Sequence, residues 1–338
     1  MIKGFFDIQF RLDDLTKNGD PLVRLNERVS WEMFRPDLER IREKERKSAA
    51  GRKPFDVVLM FKILVLQSLY NLSDDAVEYQ IRDRLSFMRF LGLGIGDRVP
   101  DAKTIWLFRE QLGQAKLVKR LFKKFDRYLR EQGFQARKGQ IVDASIVSVP
   151  IQRNSREENR RIKEGTVPED WSEAQRRQKD VHARWSARSH KHAYGYKNHI
   201  SIDACHKIIR DYAVTDAAVH DSRVFGELLD ETNTSRDVWA DSAYRSEDAV
   251  AVLKEQGYRE HLQRKGYRHK KLTDWERQGN HTRSRIRCRI EHVFGIQAQM
   301  AGSLILRTVG KARAEVKIGL RNLAYNIHRL GIITPSTA

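Results

Sequence analysis

Apolar residues recur at helical spacing through the first part of the chain. Residues 55–70 are almost uninterruptedly apolar, which predicts a largely buried helix. In the stretch 117–132, leucine or phenylalanine recurs at every fourth position, a spacing that is typical of a half-buried helix. Two further helices are predicted, one at 76–85 and one that starts after Asp101 and runs to Leu112. The pattern therefore indicates an all-α N-terminal domain over residues 1–138.

The helices predicted at 55–70 and 76–85 are separated by a short polar turn. In this turn Ser73 is a candidate N-cap, and two aspartates follow it. A helix, a turn and a second helix suit a DNA-binding module. Any helical bundle contains the same arrangement, so the turn alone leaves both interpretations open, and DNA contact is our expectation.

After residue 139 the pattern changes to short, β-branched runs with alternating apolar positions. Strands are predicted at 140–149, 199–203, 208–214 and 237–240, and helices at 222–231, 247–256, 286–300 and 312–330. Strands that alternate with helices indicate an α/β domain over residues 139–338. Residues 151–195 are polar and basic, and we expect a partly ordered insertion there, which either follows DNA or is mobile.

Charge narrows the classes of partner. Lys and Arg number 64 against 45 Asp and Glu, a net charge of +19 and a pI near 10.0, which point to a polyanion. The excess is +9 in residues 1–138 and +10 in the rest, so both halves carry it. The longest apolar run, Val57–Phe61, is far below the about 20 residues of a membrane span, and no membrane partner is expected. With two cysteines, a reducing cytoplasm is the simplest location.

Three acidic residues are candidates for chemistry. Asp143 lies within the first predicted strand, Asp241 ends another, and Glu291 lies in a predicted helix. A carboxylate on an apolar strand is costly to bury unless it is paired or holds a metal ion. Two such strands and one helix could together hold two Mg²⁺ ions for phosphoryl transfer. Taken singly, the acids have simpler interpretations, as a strand end, a cap, and the partner of Arg287 one turn earlier.

A basic segment lies just before the third acid. Residues 259–289 hold eleven Lys and Arg against three acids. Such a strip would bind phosphates without regard to base sequence. Tyr267 and Trp275 within it, and Tyr258 directly before it, could stack on unpaired bases. The alternative interpretation is a solvated charged loop.

These motifs together resemble a known family. The segments around Asp143, Asp241 and Glu291, with Gly195–His199 and Val219–Ser222, resemble the IS5-type DDE transposases of bacterial insertion sequences. The stretch from residue 51 to 87 resembles the helical region of that family, and residues 320–330 resemble its terminal helix. The resemblance covers nearly the whole chain, with the motifs in the family's order.

The resemblance implies an RNase H-like mixed sheet flanked by helices, preceded by the all-α domain. It implies that Asp143, Asp241 and Glu291 are the catalytic acids and ligands of two Mg²⁺ ions, which Mn²⁺ can replace. It implies binding of double-stranded DNA, both the terminal inverted repeats and the target, by a dimer or larger assembly at the bacterial nucleoid. The expected DNA-binding residues are Arg287, Arg285, Arg283, Lys270, Lys271, Lys197 and Tyr244. Those expected beside the acids are His220, Asp221 and His292.

The chain departs from the family pattern at two positions. Ser284 stands where the family has Tyr, and Ala298 stands where it has Lys. Both departures concern DNA contacts beyond Arg287 and put the activity of this copy in doubt. They do not affect the three acids.

Other functions have weaker support in the residues. His190 and His192 with Tyr194 are similar to the two-histidine metal site and tyrosine nucleophile of single-strand-cutting transposases, but their surroundings are polar. Cys205–His206 and Cys288–His292 lack the paired spacing of a zinc site. A metal-dependent nuclease that never joins strands, and a catalytically silent DNA-binding regulator derived from a transposase, are the remaining alternatives.

Overall fold

The structure is a computed structural model, and it describes residues 6–42, 53–188, 191–301 and 305–333. The chain divides into two units. One consists of Met1–Phe125 with Leu320–Ala338, and the other of Asp126–Gly319. The division predicted at residue 138 assigns residues 126–138 and 320–338 differently.

The first unit is helical. Its helices are α1 (Asp7–Lys17), α2 (Pro21–Arg28), α3 (Arg35–Glu39), α4 (Val57–Tyr70), α5 (Asp74–Asp83), α6 (Leu85–Leu91), α7 (Ala102–Gln114) and α8 (Leu117–Glu131), of which the last runs on into the second unit. The four helices predicted from periodicity correspond to α4, α5, α7 and α8. The period of four in α8 reflects burial, since Leu121, Phe125 and Leu129 are fully buried.

Helix α4 forms the centre of this unit. Asp56 caps its start by accepting hydrogen bonds from the backbone N–H groups of Val58 and Leu59, and Asn71 ends it in the left-handed conformation. Ser73 then accepts a bond from Ala76 N–H and caps α5, as predicted. Within the described ranges no single helix is long and apolar enough to cross a membrane. Only α4 and α5 together meet that criterion, as a pair bent by 102°.

The second unit contains a six-stranded sheet with helices. Its strands are β1 (Gln140–Ser148), β2 (Arg184–Arg188), β3 (Lys191–Asp203), β4 (Ile209–Asp216), β5 (Asp237–Ala240) and β6 (Arg259–Leu262). Its helices are α9 (Arg156–Lys163), α10 (Glu173–Gln178), α11 (Glu247–Glu255), α12 (Asp274–Ala301) and α13 (Lys311–Ile332), which ends in the first unit.

The sheet is mixed. Its strand order is β2-β3-β1-β5-β6, and β4 pairs with β3. The pairs β1–β3, β2–β3 and β3–β4 are antiparallel, whereas β1–β5 and β5–β6 are parallel. Parallel neighbours need crossover connections, and the chain between β5 and β6 supplies one through α11. The predicted mixed α/β sheet, preceded by a helical region, is thereby confirmed.

Side chains alternate between the two faces of β1, and each face carries its own core. Val142 packs with Phe225, Tyr244 and Leu262 on one face. Val147 packs on the other face with Tyr196 and with the start of α13. The central strand is therefore covered on both sides, which explains its run of β-branched residues.

Three expectations are corrected. The stretch 151–195 contains α9, α10, β2 and part of β3, and it buries Ile162, Trp171 and Ala183, so it is more ordered than expected. The helix predicted at 222–231 is replaced by two short 3₁₀ turns, Asp221–Val224 and Gly226–Leu228. Helix α12 begins twelve residues before the predicted start, with Thr273 as its N-terminal cap.

Candidate active site

Two of the predicted acids lie on neighbouring parallel strands. Asp143 is on β1, and Asp241 follows directly after β5. The parallel pairing of β1 with β5 joins Ile141 with Trp239, so Asp143 and Asp241 each lie two residues beyond the last paired residues of neighbouring strands. Each carboxylate also accepts a local backbone bond at 2.8 Å, from Ala144 for Asp143 and from Ala243 for Asp241.

Helix α12 brings the third acid toward β1. The helix packs on β1 and β5 and buries Ile290 and Val293, which fixes its orientation. Arg287 Nη1 donates to Asp143 Oδ2 at 2.7 Å, and its Nη2 donates to Glu291 Oε1 at 2.9 Å. The structure thus joins Asp143 and Glu291 through one guanidinium, although 148 residues separate them in sequence.

The donor set fits a hard divalent cation. Mg²⁺ and Mn²⁺ prefer carboxylate oxygens, and two of the three acids already converge on one positive group, the guanidinium of Arg287. Among the described residues, no three Asp, Glu, His or Cys side chains come together as a metal-ligand group. Asp143 and Glu291 both contact Arg287, which lies between them, and Asp241 is not part of that contact.

A polar cleft of about 960 Å³ opens beside Asp241. Its other lining residues are Trp185, Ser186, Lys197, Ala218, His220, Asp221, Ser242, Ala243, Arg245, Arg264, Lys265, Tyr267, Lys270, Lys271, Leu272 and Glu276. Six of these are Lys or Arg against Asp221, Asp241 and Glu276, so the cleft attracts anions. Sequence reasoning counted Arg264 and Lys265 only within the basic strip and missed Arg245 and Trp185.

Lys197 and Asp221 form a buried ion pair at the wall of this cleft. Lys197 Nζ donates to Asp221 Oδ1 at 2.8 Å and to the carbonyl oxygen of Val219 at 2.7 Å. The predicted role of Lys197 in DNA binding remains a prediction, since its charge is shared with Asp221. His220, which is exposed, caps the following 3₁₀ turn through Ser222.

A neutral histidine lies next to this pair. His199 is fully buried on β3, and its Nε2 lies 2.9 Å from Thr215 Oγ1. Burial lowers the pKa of His199 to about 4, an effect that Asp221 opposes and Lys197 adds to. The imidazole is therefore uncharged at neutral pH.

Two arginines of the basic strip have buried donor atoms. Arg283 on α12 has its Nε and Nη1 atoms buried without a hydrogen-bond partner in the described part of the chain, as has the Nε of Arg264. The pKa of Arg283 is lowered by burial, with Glu260 opposing and Arg264 and Arg245 adding to the decrease. Donors left unsatisfied beside other cations are suited to an incoming phosphate. Lys270 and Lys271 line the cleft, and Arg285 and His292 are exposed on α12.

One predicted DNA contact is wrong. Tyr244 is fully buried in the core, where its ring packs on Phe225 with 5.2 Å between centroids, so it cannot reach DNA. The tyrosine-nucleophile alternative also loses support. Tyr194 is buried, donates to the carbonyl oxygen of Asp180, and has a pKa raised to about 12, first by burial and then by Asp180. His190 of that motif lies outside the described residues.

Comparisons with known proteins define the class. The family described as "Transposase domain (DUF772)" matches residues 10–111, and "Transposase DDE domain" matches residues 134–327. The second match covers more than half of the chain, so this chain belongs to the DDE transposase family. This pair of domains is typical of IS5-type insertion-sequence transposases, which confirms the resemblance, and the mixed sheet described above lies within the matched DDE domain.

A solved structure is also similar. A cryo-EM structure of the piggyBac transposase synaptic complex with hairpin DNA shares 12% sequence identity, with a TM-score of 0.44 over 91% of this chain and 73% of that chain. The family assignment rests on the domain matches. DDE transposases act on DNA and use divalent metal ions, and both statements apply to this chain as a member.

Proposed function

We propose that this transposase binds the terminal inverted repeats of its own element, hydrolyses the DNA at the element ends and joins them to target DNA. The observation that carries the proposal is that Arg287 joins Asp143 on β1 to Glu291 on α12, while Asp241 follows the neighbouring parallel strand and lines a basic cleft. The proposed setting is the bacterial cytoplasm, at the nucleoid.

The proposed ligands of Mg²⁺, or of Mn²⁺ in its place, are Asp143, Asp241 and Glu291. Two ions in such a site activate the attacking oxygen and stabilise the leaving oxygen of a phosphodiester. The chain's own contribution is rigid placement, because both strands are central in the sheet and α12 is anchored by buried side chains.

Two reactions follow in the same site. Water first breaks the P–O bond at the element end and leaves a free 3′-hydroxyl. That hydroxyl then attacks a phosphodiester of the target, forming one P–O bond while the target's own 3′-oxygen leaves. No covalent link between protein and DNA is needed, because the attacking group is water in the first step and the DNA 3′-hydroxyl in the second.

DNA is proposed to lie along the cleft. Lys270, Lys271 and Arg264 would contact phosphates there. Trp185 and Tyr267 are exposed in the same lining and present flat surfaces to sugars or bases. Residues 1–138 are proposed to add sequence-specific contacts, and pairing of two element ends requires at least a dimer.

The test is end cleavage in vitro. Purified full-length protein is mixed with labelled DNA that carries the element's terminal repeat, with Mg²⁺ or with EDTA. Nicking at the repeat boundary that leaves a 3′-hydroxyl and is lost in Asp241→Asn is the expected result. Lys254→Ala, which removes an exposed charge on α11 away from the cleft, should cut as the wild type does.

Each alternative gives a different outcome. Nicking without strand-transfer products would make the protein a nuclease. Sequence-specific binding without nicking would make it a regulator or an inactive copy. Cleavage that survives in Asp143→Asn or Asp241→Asn would contradict the assignment of the acids.

A further inference from the structure

The guanidinium of Arg287 occupies the space between two carboxylates that are proposed to hold a metal ion. It contacts Asp143 and Glu291 at 2.7 and 2.9 Å through two different nitrogens. The side chains of Arg287 and Asp143 are 19% and 12% exposed, so water screens their contact only weakly, whereas Glu291 is 60% exposed and its contact is screened more. A single positive group therefore already neutralises the same oxygens that a divalent ion would use.

We propose that Arg287 competes with the divalent ion for Asp143 and Glu291, so that the guanidinium must leave before the ion binds at full strength. This inference rests on the proposed function, because it assumes that these two carboxylates are metal ligands. It assigns Arg287 a part in setting metal affinity that is separate from contact with DNA.

Charge explains why the two cations exclude each other. A guanidinium and a divalent ion within a few ångströms repel strongly in a partly buried site. Asp143 Oδ2 and Glu291 Oε1 each direct a lone pair at an N–H group of Arg287, which makes these two oxygens weaker donors to an ion. The bound ion and the bridging guanidinium are therefore alternative states of one site.

Arg287 also has a reason to move. In its present position its Nε is buried without a hydrogen-bond partner in the described part of the chain. Asp143 and Glu291 accept from the two Nη atoms of Arg287 and leave its Nε–H without an acceptor among the described residues. A phosphate can accept two parallel hydrogen bonds from one guanidinium, including one from Nε–H. An anion that takes Arg287 would free Asp143 and Glu291.

The consequence is coupling between the phosphate and the metal ion. A ligand that draws Arg287 away raises the affinity for the ion, and by reciprocity the ion raises the affinity for that ligand. Such a protein holds its ions weakly until DNA is in the site. Replacing Arg287 removes the competitor, so the affinity for the ion should no longer depend on bound DNA.

The experiment measures Mn²⁺ binding to the full-length protein without DNA, by titration calorimetry and by the loss of the free-Mn²⁺ EPR signal. We expect Arg287→Gln to bind Mn²⁺ about tenfold more tightly than the wild type. Arg287→Lys, which keeps the charge but cannot bridge both carboxylates, should fall between them. Arg285→Gln removes a nearby exposed charge from α12 and should leave the affinity unchanged.

Two results would overturn the inference. In the first, Arg287→Gln binds Mn²⁺ no more tightly than the wild type does. In the second, Arg285→Gln binds Mn²⁺ as tightly as Arg287→Gln does, which would show that any loss of positive charge on α12 has the same effect. A merely structural role for Arg287 would weaken binding. If Arg287→Gln does not fold, as judged by thermal unfolding in EDTA, then Arg287→Lys decides, and unchanged affinity there overturns the inference.

Asp143→Asn separates this inference from the proposed function. If Mn²⁺ binding is lost in Asp143→Asn while Arg287→Gln is no tighter, the metal site stands and the competition is wrong. If Asp143→Asn leaves Mn²⁺ binding unchanged both in the wild-type protein and in Arg287→Gln, then Asp143 is not a metal ligand and the inference is wrong as well.

Discussion

Lys197 Nζ lies 2.8 Å from Asp221 Oδ1, and neither side chain is more than 9% exposed. Two opposite charges are therefore held out of water at the wall of the cleft that contains Asp241. Val219 supplies the second acceptor through its carbonyl oxygen. The pair fixes the loop after β4 to β3, so its integrity bears on both stability and the shape of the site.

Removing one partner of this pair should be costly. Asp221→Ala leaves the Lys197 ammonium buried without its counter-charge, and we expect a loss of about 3–5 kcal/mol in the free energy of unfolding. Urea denaturation followed by circular dichroism measures it. The double variant Lys197→Met/Asp221→Leu removes both charges of this pair and should be more stable than Asp221→Ala. If the single variant loses less than about 1 kcal/mol, the pair is not buried as described.

The pKa of His199 predicts a pH dependence of stability. Its folded-state pKa, about 4, lies below the ordinary value of 6.5, so the unfolded chain binds the proton more readily. The stability contribution is therefore complete above pH 6.5 and is lost as the pH falls toward 4. Between pH 7 and pH 5 the loss is about 2 kcal/mol.

His199→Gln isolates this effect, because glutamine can still contact Thr215 and does not titrate. We expect a less stable variant at pH 7, whose stability falls about 2 kcal/mol less than that of the wild type between pH 7 and pH 5. Urea denaturation across this range is the measurement. Parallel pH profiles for the two proteins would show that another group is responsible.

The elements that were predicted correctly are those with a local signal. The strand Asp237–Ala240 has the predicted bounds, and β1 and α11 each differ from the predicted bounds by one residue. The two strands were recognisable because a strand that is covered on both faces has a continuous run of apolar residues. Strand β2 (Arg184–Arg188) has no such pattern, because it is ordered by pairing with β3, a partner known only from the fold.

The sequence motifs predict three acids for the site but not the contacts between the elements that carry them. The bond between Arg287 and Glu291 follows from their spacing of four on a helix, and it was one of the simpler interpretations considered. The bond between Arg287 and Asp143 depends on how α12 packs on β1, which no local pattern encodes. Tyr244 was assigned to DNA from its motif, whereas the packing of Phe225 decides its burial.

The basic cleft predicts a salt dependence of DNA binding. Each phosphate contact made by Lys270 or Lys271 should contribute about 0.9 to the slope of log affinity against log salt concentration. Lys270→Ala/Lys271→Ala should therefore flatten the slope by nearly twice that amount, for specific and non-specific DNA alike. Fluorescence anisotropy from 50 to 300 mM salt would measure it. Lys254→Ala on α11 is the control that removes one charge outside the cleft, and an equal effect per charge removed would exclude the cleft from the DNA path.

The missing family lysine at position 298 offers a gain-of-function prediction. Ala298 lies seven residues after Glu291 on α12, which places it on the same face of the helix and about 10 Å further along. Ala298→Lys should add one phosphate contact, steepen the salt slope by about 0.9 and tighten binding to the terminal repeat several-fold.

The control for this variant is Gln299→Lys, which adds the same charge about 80° around the helix from Glu291. Anisotropy with repeat DNA and the end-cleavage assay are the two measurements. If both variants tighten binding equally, the gain is a general charge effect and not a restored contact. A gain confined to Ala298→Lys, together with faster nicking, would show that α12 lies along the DNA end from Arg287 to residue 298.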